Sequence, residues 1–260
     1  MSEKKVNLLG LDILDADLVG AVGTLKKRME VKGRTVVFTP NTEMLAAAVV
    51  NDGIARLLSF ADVLLPDGFG LRVAGLLSGV ELKNTTAGIE VGEQMLCLAE
   101  KRGYRVFLLG GKEGVARAAA RKLKKRYPSL KICGVENGFF AREEEGRICE
   151  RINEACADVL FVCTGFPRQE RFVRRNAPSL ARVKLIMCLG GSLDVWAGQT
   201  LRAPIFIRKI HLEWLYRILH EPKRLERFLP SLCVLPMAAE KGAKKICGSV
   251  LSGKNEHIIK

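Results

Sequence analysis

A single carboxylate, Asp67, stands where it could take a proton from a substrate hydroxyl. It lies in the run Pro66-Asp67-Gly68, directly after an apolar stretch and at the predicted start of a helix. If that loop lines a binding crevice, the carboxylate is placed to act as a general base. A carboxylate at a helix N-terminus can instead cap the helix and stabilise its exposed N–H groups. The residues alone leave both interpretations open.

Three polar side chains of different chemistry follow the turn Gly165-Phe166-Pro167. Arg168, Gln169 and Glu170 open one predicted helix, and the proline orders the turn before it. The guanidinium could clamp a diphosphate, and the amide or the carboxylate could contact a ribose or a uracil. The same residues also fit a solvated helix start that binds nothing.

Two further junctions carry residues that suit ligand binding. Thr39 and Asn41 follow an apolar run and precede a helix, so they could contact a ligand or cap that helix. Gly110 and Gly111 also separate an apolar run from a helix, an arrangement that presents backbone N–H groups to phosphate. A tight turn would look the same. Because the segment lacks the GxGxxG spacing, a nicotinamide oxidoreductase is suggested only by the fold and this loop.

Metal-binding patterns are weak in this sequence. Asp15 and Asp17 form a DxD, but they precede the predicted sheet at a helix start, which favours capping. The three histidines all lie beyond residue 210, and the eight cysteines form no CxxC pair. Most cysteines fall in apolar runs, which is typical of reduced thiols in a cytosolic protein. We therefore predict a metal-independent site that uses no cofactor.

Short apolar runs alternate with helix-like stretches from Arg34 onward, as in TVVFT followed by TEMLAAAVV and YRVFLLG followed by GVARAAARKLKKRY. Continuous apolar strands indicate burial on both faces, and strand–helix repetition indicates parallel pairing. The prediction is an α/β fold, a Rossmann-like, doubly wound, mainly parallel sheet with helices on both faces. The candidate residues follow strands, so they should meet in one crevice at the carboxyl edge of the sheet.

The chain changes character after Arg202, where the strand–helix rhythm ends. We divide it into an α/β core over residues 1–200 and a basic helical appendage over residues 201–260, with partial disorder expected over 242–260. Ile207, Ile210, Trp214 and Ile218 fall on one helical stripe beside a basic face. That pattern fits a helix at a membrane surface or a helix packed on the core. No segment reaches the ~20 apolar residues of a spanning helix, so membrane contact would be peripheral.

The charge balance favours anionic partners. The formal net charge is +14 and the isoelectric point is about 9.6, which suits nucleic acid, anionic lipid or phosphorylated substrates. Aromatic residues make up only 6% of the chain and do not interleave with the basic ones, which disfavours a nucleic-acid-binding platform.

Taken in order, these segments resemble the WecG/TagA/CpsF family of glycosyltransferases over nearly residues 5–230. The resemblance rests on Thr39-Pro40-Asn41, Pro66-Asp67-Gly68, Leu109-Gly110-Gly111, the run from Gly165 to Glu170, GGSLDVWAGQTLRAP from Gly190 to Pro204, Glu213 to Arg217 and Glu221 to Arg224. The ordered series is far more specific than any single segment.

The resemblance implies an inverting transfer of N-acetylmannosamine, or a related hexosamine, from a UDP-sugar to GlcNAc on undecaprenyl diphosphate. Such transfers serve wall teichoic acid or surface polysaccharide synthesis. Asp67 would be the base. The residues that would bind substrate are Thr39, Asn41, Gly110, Gly111, Arg168, Gln169, Glu170, Asp194 and Arg202. Those that would approach the lipid diphosphate and the membrane are Arg217, Arg224 and Arg227.

The resemblance also implies a place in the cell and a source of positive charge. The enzyme would be cytoplasmic and peripheral on the inner face of the bacterial plasma membrane, and a homo-oligomer is compatible with the sequence. Arg168, Arg202 or an arginine of the appendage would stabilise the departing UDP. One loop departs from the family pattern, because Thr85 and Glu90 stand where the family usually has arginine and aspartate.

Overall fold

The apolar runs form the strands of one sheet in the computed structural model, which describes residues 3–31, 33–204, 206–207, 213–220 and 225–240. The strands are β1 Lys5–Leu8, β2 Leu11–Leu14, β3 Thr35–Phe38, β4 Val63–Leu64, β5 Arg105–Gly110, β6 Lys131–Glu136, β7 Val159–Cys163 and β8 Leu185–Cys188. Their order across the sheet is β1-β2-β4-β3-β8-β7-β5-β6. β1 pairs antiparallel with β2, and the other neighbours pair in parallel.

Helices cover both faces of the sheet. They are α1 Leu18–Val31, α2 Thr42–Val50, α3 Asp52–Leu58, α4 Phe69–Leu77, α5 Gly88–Arg102, α6 Val115–Arg126, α7 Glu145–Glu154, α8 Arg168–Asn176 and α9 Ser192–Trp196. α2, α4, α7 and α8 bury their apolar residues on one face, whereas α1, α5, α6 and α9 bury theirs on the other. This arrangement confirms the predicted doubly wound α/β fold, although the sequence analysis did not identify α5.

Burial explains why the strands read as unbroken apolar runs. All five residues of β7 are buried, with alternate side chains facing the two helical layers. Phe161 packs edge-to-face on Trp196 of α9, with 5.6 Å between the ring centroids. Fully burying a phenylalanine side chain contributes about 1.5–3 kcal/mol to the free energy of folding. Contacts of this kind hold the helices of both layers on the central strands.

Several pairs of neighbouring strands in the sheet lead into helices on opposite faces, among them β3 with β8 and β7 with β5. β3 leads into α2 on one face, while its neighbour β8 leads into α9 on the other. β7 and β5 diverge in the same way, into α8 and α6. Ligands of open parallel sheets bind where the outgoing connections diverge, so the crevice spans the ends of β3, β8, β7 and β5.

The described part of the appendage is helical over α10 Glu213–His220, α11 Leu225–Ser231 and residues 234–240. α11 packs against α2, and Val234 and Ala238 are fully buried in the core face that α2 helps to form. The division at residue 200 stays a prediction. The stretch 242–260 lies outside the described residues. Within the residues described, no helix has the length and apolarity needed to cross a bilayer.

Candidate active site

Asp67 lies on the loop that leaves β4 and is tied to the loop that leaves β3. Its backbone N–H donates to the Pro40 carbonyl at 2.8 Å, and the Asp67 residue as a whole is half-buried. α4 begins at Phe69, and its N-cap position belongs to Gly68, whose φ of 93° suits glycine. Asp67 therefore stands one residue before the cap, at the carboxyl edge of the sheet.

The two polar residues after β3 are both engaged in local structure. Asn41 caps α2, because its Oδ1 accepts a hydrogen bond from the Met44 N–H at 3.0 Å. Thr39 is buried and donates through Oγ1 to the Cys188 carbonyl at 3.0 Å, which joins the ends of β3 and β8.

The N-terminus of α5 enters the same edge of the sheet. The Thr86 N–H donates to the Pro66 carbonyl at 2.8 Å, directly before Asp67, and Gly88 packs closely on Thr39. Helix α5 has Ala87 at its N-cap position and so receives no side-chain cap. Its partial positive charge is thus close to the Asp67 loop. The sequence offered a signal for this helix, since basic residues and Gly103 in the left-handed conformation close it.

The loop before α5 is held by the first aspartate of the DxD pair. Asp15 accepts from the backbone N–H of Asn84 at 2.9 Å and from its Nδ2 at 3.0 Å, and it pairs with Lys4 at 2.7 Å. Burial opposes ionisation of Asp15, but these bonds from Lys4 and Asn84 outweigh it and hold its pKa below the ordinary value. Asp17 caps α1 by accepting from the Gly20 N–H at 2.8 Å, as predicted.

Metal ligands do not gather anywhere in the described structure. None of its residues form a group of three or more histidine, cysteine, aspartate or glutamate side chains that could hold an ion. The pair Asp15 and Asp17 is accounted for by the loop anchor and the helix cap.

Arg202 is bound to the first turn of α5. Its Nη2 donates to Glu90 Oε1 at 2.7 Å, and only 16% of the arginine side chain is exposed. Its Nε is buried without a hydrogen-bond partner among the described residues. The pair brings a cation to the N-terminus of α5, beside the elements that carry Thr39 and Asp67.

The ends of β5, β6 and β7 are joined by their backbones. Gly111 N–H donates to the Cys163 carbonyl at 3.2 Å, and Gly138 N–H donates to the Gly111 carbonyl at 2.8 Å. Gly110 has a φ of 143°, and a Cβ there would collide with the Cys163 backbone. Because the Gly111 N–H is used within the protein, this residue behaves as part of a tight turn.

Gln169 and Glu170 form a buried chain of hydrogen bonds under the end of β8. Gln169 accepts from the Gly190 N–H at 3.0 Å and donates through Nε2 to Glu170 Oε1 at 2.8 Å. Gln169 is 3% exposed and Glu170 is fully buried. Burial raises the pKa of Glu170 to about 7, against the opposing hydrogen bond from Gln169.

The two remaining candidate residues of the core, Asp194 and Arg168, lie on either side of the hydrogen-bonded pair Gln169 and Glu170. Asp194 stands in α9, and its carboxylate faces the Gly191 turn. Arg168 donates to the Phe140 carbonyl and lies over the Phe140 ring, 4.7 Å from its centroid. Phe140 follows β6, so the structure places Arg168 on the β6 side of the crevice, away from the Asp67 loop.

Three of the predicted site residues belong to the appendage. Arg224 and the side chains of Arg217 and Arg227 lie outside the described residues. The structure thus gathers Thr39, Asn41 and Asp67 around the N-terminus of α5, and Gln169, Glu170 and Asp194 around the end of β8. The bond from Thr39 to Cys188 connects the two groups.

Sequence reasoning missed the burial of Glu170 and the ion pair of Arg202. The first had a signal, because Gln169 and Glu170 precede the core residues Phe172 and Val173 by three positions on one helical face. The ion pair joins Arg202 to Glu90, which is 112 positions earlier, so no local sequence pattern could indicate it.

Comparisons with known proteins show what the whole chain is similar to. A family model described as "Glycosyl transferase WecG/TagA/CpsF family" matches residues 6–245. The chain is 31% identical over 234 residues to the N-acetylglucosaminyldiphosphoundecaprenol N-acetyl-beta-D-mannosaminyltransferase of Bacillus subtilis (strain 168), covering 89% of this chain and 90% of that protein. Proteins of the same name from Bacillus spizizenii and Staphylococcus aureus (strain MRSA252) are 32% and 31% identical, and 88% and 93% of this chain is covered. The alignments cover 88% and 94% of those two proteins.

Proposed function

Because the chain belongs to the WecG/TagA/CpsF family of glycosyltransferases, we propose that it transfers N-acetylmannosamine, or a related hexosamine, from a UDP-sugar to GlcNAc on undecaprenyl diphosphate. The match over residues 6–245 carries the proposal, since it includes the crevice and Asp67. The product would serve wall teichoic acid or another surface polysaccharide.

The proposed reaction is a single displacement with inversion. The acceptor hydroxyl oxygen bonds to the anomeric carbon of the donor sugar, the bond from that carbon to the UDP oxygen breaks, and Asp67 takes the hydroxyl proton. Asp67 suits this role because it is accessible, lies at the carboxyl edge and does not occupy the N-cap position of α4.

Charge on the departing diphosphate has to be stabilised without a metal in this proposal. Arg202 and the uncapped N-terminus of α5 supply positive potential beside the Asp67 loop. Arg168 could add to it by leaving Phe140, which it holds through a single carbonyl and a ring face. Asp194 and Asn41, with Thr39, Gln169 and the Gly110-Gly111 turn behind them, would bind the nucleotide and the sugar.

A transfer assay tests the function directly. The purified chain is mixed with UDP-N-acetylmannosamine and a lipid-diphosphate-GlcNAc analogue, and the released UDP and the disaccharide product are both measured. We expect UDP release that requires the acceptor and matches the disaccharide formed. Disaccharide formation from a different UDP-sugar alone would revise the donor, and no product with any UDP-sugar would refute the function.

The proposal places the enzyme at the inner face of the plasma membrane through its appendage. Several apolar side chains of the described appendage are exposed, including Trp214 at 43% and Leu219 at 70%. Together with the +7 net charge of residues 201–260, they suit an anionic lipid surface.

Replacing Arg217, Arg224 and Arg227 together with glutamate is expected to abolish sedimentation with anionic liposomes. Each basic residue near such a surface contributes about 1 kcal/mol, and reversing three charges turns that attraction into repulsion. The matched control changes Arg121, Lys124 and Lys125, exposed on α6, to glutamate and so makes the same change in net charge. Equal sedimentation of both variants would contradict binding through the appendage.

A further inference from the structure

Glu170 is a buried titratable group beside the site, and one of its two carboxylate oxygens makes no hydrogen bond within the described residues. Its side chain is fully buried, and Oε2 has no hydrogen-bond partner among the described residues. Oε1 accepts from Gln169 Nε2 at 2.8 Å. A side chain with no exposed surface cannot contact a ligand in the crevice, so any effect of Glu170 on the reaction has to pass through a neighbour.

That neighbour is the Gln169 amide, whose two ends are held by different partners. The oxygen accepts from the Gly190 N–H, and the nitrogen donates to Glu170. If the acceptor at Glu170 were lost, only the Gly190 N–H among the described partners would hold the amide in place, and an amide that turned over would present N–H to that N–H. Two donors would then face each other at the turn that follows β8, which is unfavourable in a buried site.

We propose that Glu170 is a positioning residue that fixes the orientation of the Gln169 amide, and through it the Gly190 turn, for binding the UDP part of the donor. The inference rests on the proposed function, because it assumes a UDP-sugar in the crevice. It does not assign Glu170 a contact with substrate.

The surroundings of Glu170 favour its neutral form. The Cys188 thiol on β8 is close enough to Glu170, and to the Cys163 thiol on β7, to interact with both electrostatically. Burial raises the pKa of both thiols, so they stay uncharged. Its neighbour Gln169 on α8 is uncharged, and within the described residues no basic side chain forms an ion pair or hydrogen bond with Glu170. An ionised Glu170 would leave a buried charge on Oε2, which is costly.

The cost of burying this charge determines how UDP affinity changes with pH. The pKa of Glu170 is raised above its ordinary value to about 7, so the group is neutral below this pH and ionises as the pH rises through it. Ionisation places a negative charge in the buried interior near the bound diphosphate, although the bond from Gln169 favours the charged form. UDP affinity should therefore fall as the pH rises through about 7.

The experiment measures UDP binding by calorimetry for the wild type, Glu170→Gln and Glu170→Met. Glutamine keeps an acceptor for Gln169 Nε2 and cannot ionise, whereas methionine has neither property. We expect Glu170→Met to weaken UDP binding about tenfold, near the value of one lost buried hydrogen bond, and Glu170→Gln to retain the affinity. Between about pH 6 and about pH 8, wild-type affinity should fall up to about tenfold more than that of Glu170→Gln. Titration of UDP itself is common to both proteins and cancels.

The outcomes separate this inference from the proposed function. If the wild type does not bind UDP, the proposed donor is wrong. If the wild type binds UDP while Glu170→Met binds equally well, the positioning role is refuted. Should Glu170→Met fail to fold, Glu170→Gln still decides, because a UDP affinity clearly weaker than that of the wild type at about pH 6 would overturn the inference, since glutamine keeps the acceptor for Gln169 Nε2.

Discussion

Replacing Asp67 with asparagine is expected to lower kcat by ~10²–10⁴-fold, the usual contribution of a general base, with little change in UDP affinity. Asparagine has nearly the same shape but cannot take the proton of the acceptor hydroxyl. The transfer assay under saturating donor and acceptor measures kcat, and calorimetry measures UDP binding.

The same substitution separates catalysis from a structural role. Asparagine is as good as aspartate at helix N-termini, so a residue that only stabilised α4 would tolerate it. A loss of turnover with an unchanged melting temperature therefore identifies Asp67 as the base. The matched control is Asp52→Asn, the same chemical change in the exposed first turn of α3, which should leave turnover unaltered. Normal turnover of Asp67→Asn would remove Asp67 from the mechanism.

The architecture could be predicted from the sequence because burial leaves a local pattern. Strands enclosed on both faces, such as β7 and β8, read as unbroken apolar runs, and their order with helices specifies a parallel sheet. The same logic placed Asp67 at the carboxyl edge. α5 was missed because its apolar residues are interspersed with glycine and charged residues, although its closing Gly103 was a usable signal.

The contacts between candidate residues could not be predicted, because they depend on how distant loops meet. Arg168 suited a diphosphate by type, yet in the structure it lies on Phe140, 28 residues earlier. Glu170 suited a ribose, yet the helix turns it into the core. The role of Asn41, in contrast, could be foreseen. The preference of asparagine for the N-cap is a local property, and capping was one of the two interpretations that the sequence allowed.

The pair of Arg202 and Glu90 illustrates how a change in one loop alters the source of positive charge. By the family resemblance, Thr85 stands where an arginine is usual, so position 85 brings no cation to the site. Arg202 reaches the N-terminus of α5 from the other side and is held there by Glu90. We therefore propose Arg202 as a cation that stabilises the leaving diphosphate.

Replacing Arg202 with methionine is expected to lower kcat by ~10²–10³-fold, the loss that follows removal of one donor aimed at developing negative charge. Methionine retains much of the apolar stem, so packing at this largely buried position is disturbed less than by alanine. Steady-state kinetics of the transfer assay give kcat, and thermal unfolding reports the structural cost of breaking the ion pair.

A double-mutant cycle with Glu90→Gln tests whether the pair acts as a unit. Glu90→Gln alone should lower kcat less than Arg202→Met does, because the cation remains but is oriented less well. In the Arg202→Met background, Glu90→Gln should have no further effect on kcat, since there is no longer a guanidinium for Glu90 to orient. Equal effects of Glu90→Gln in both backgrounds would show that Glu90 acts independently. A kcat unchanged in Arg202→Met, with only a lower melting temperature, would leave Arg202 as a structural residue and move the search for the leaving-group cation to Arg168 and the appendage.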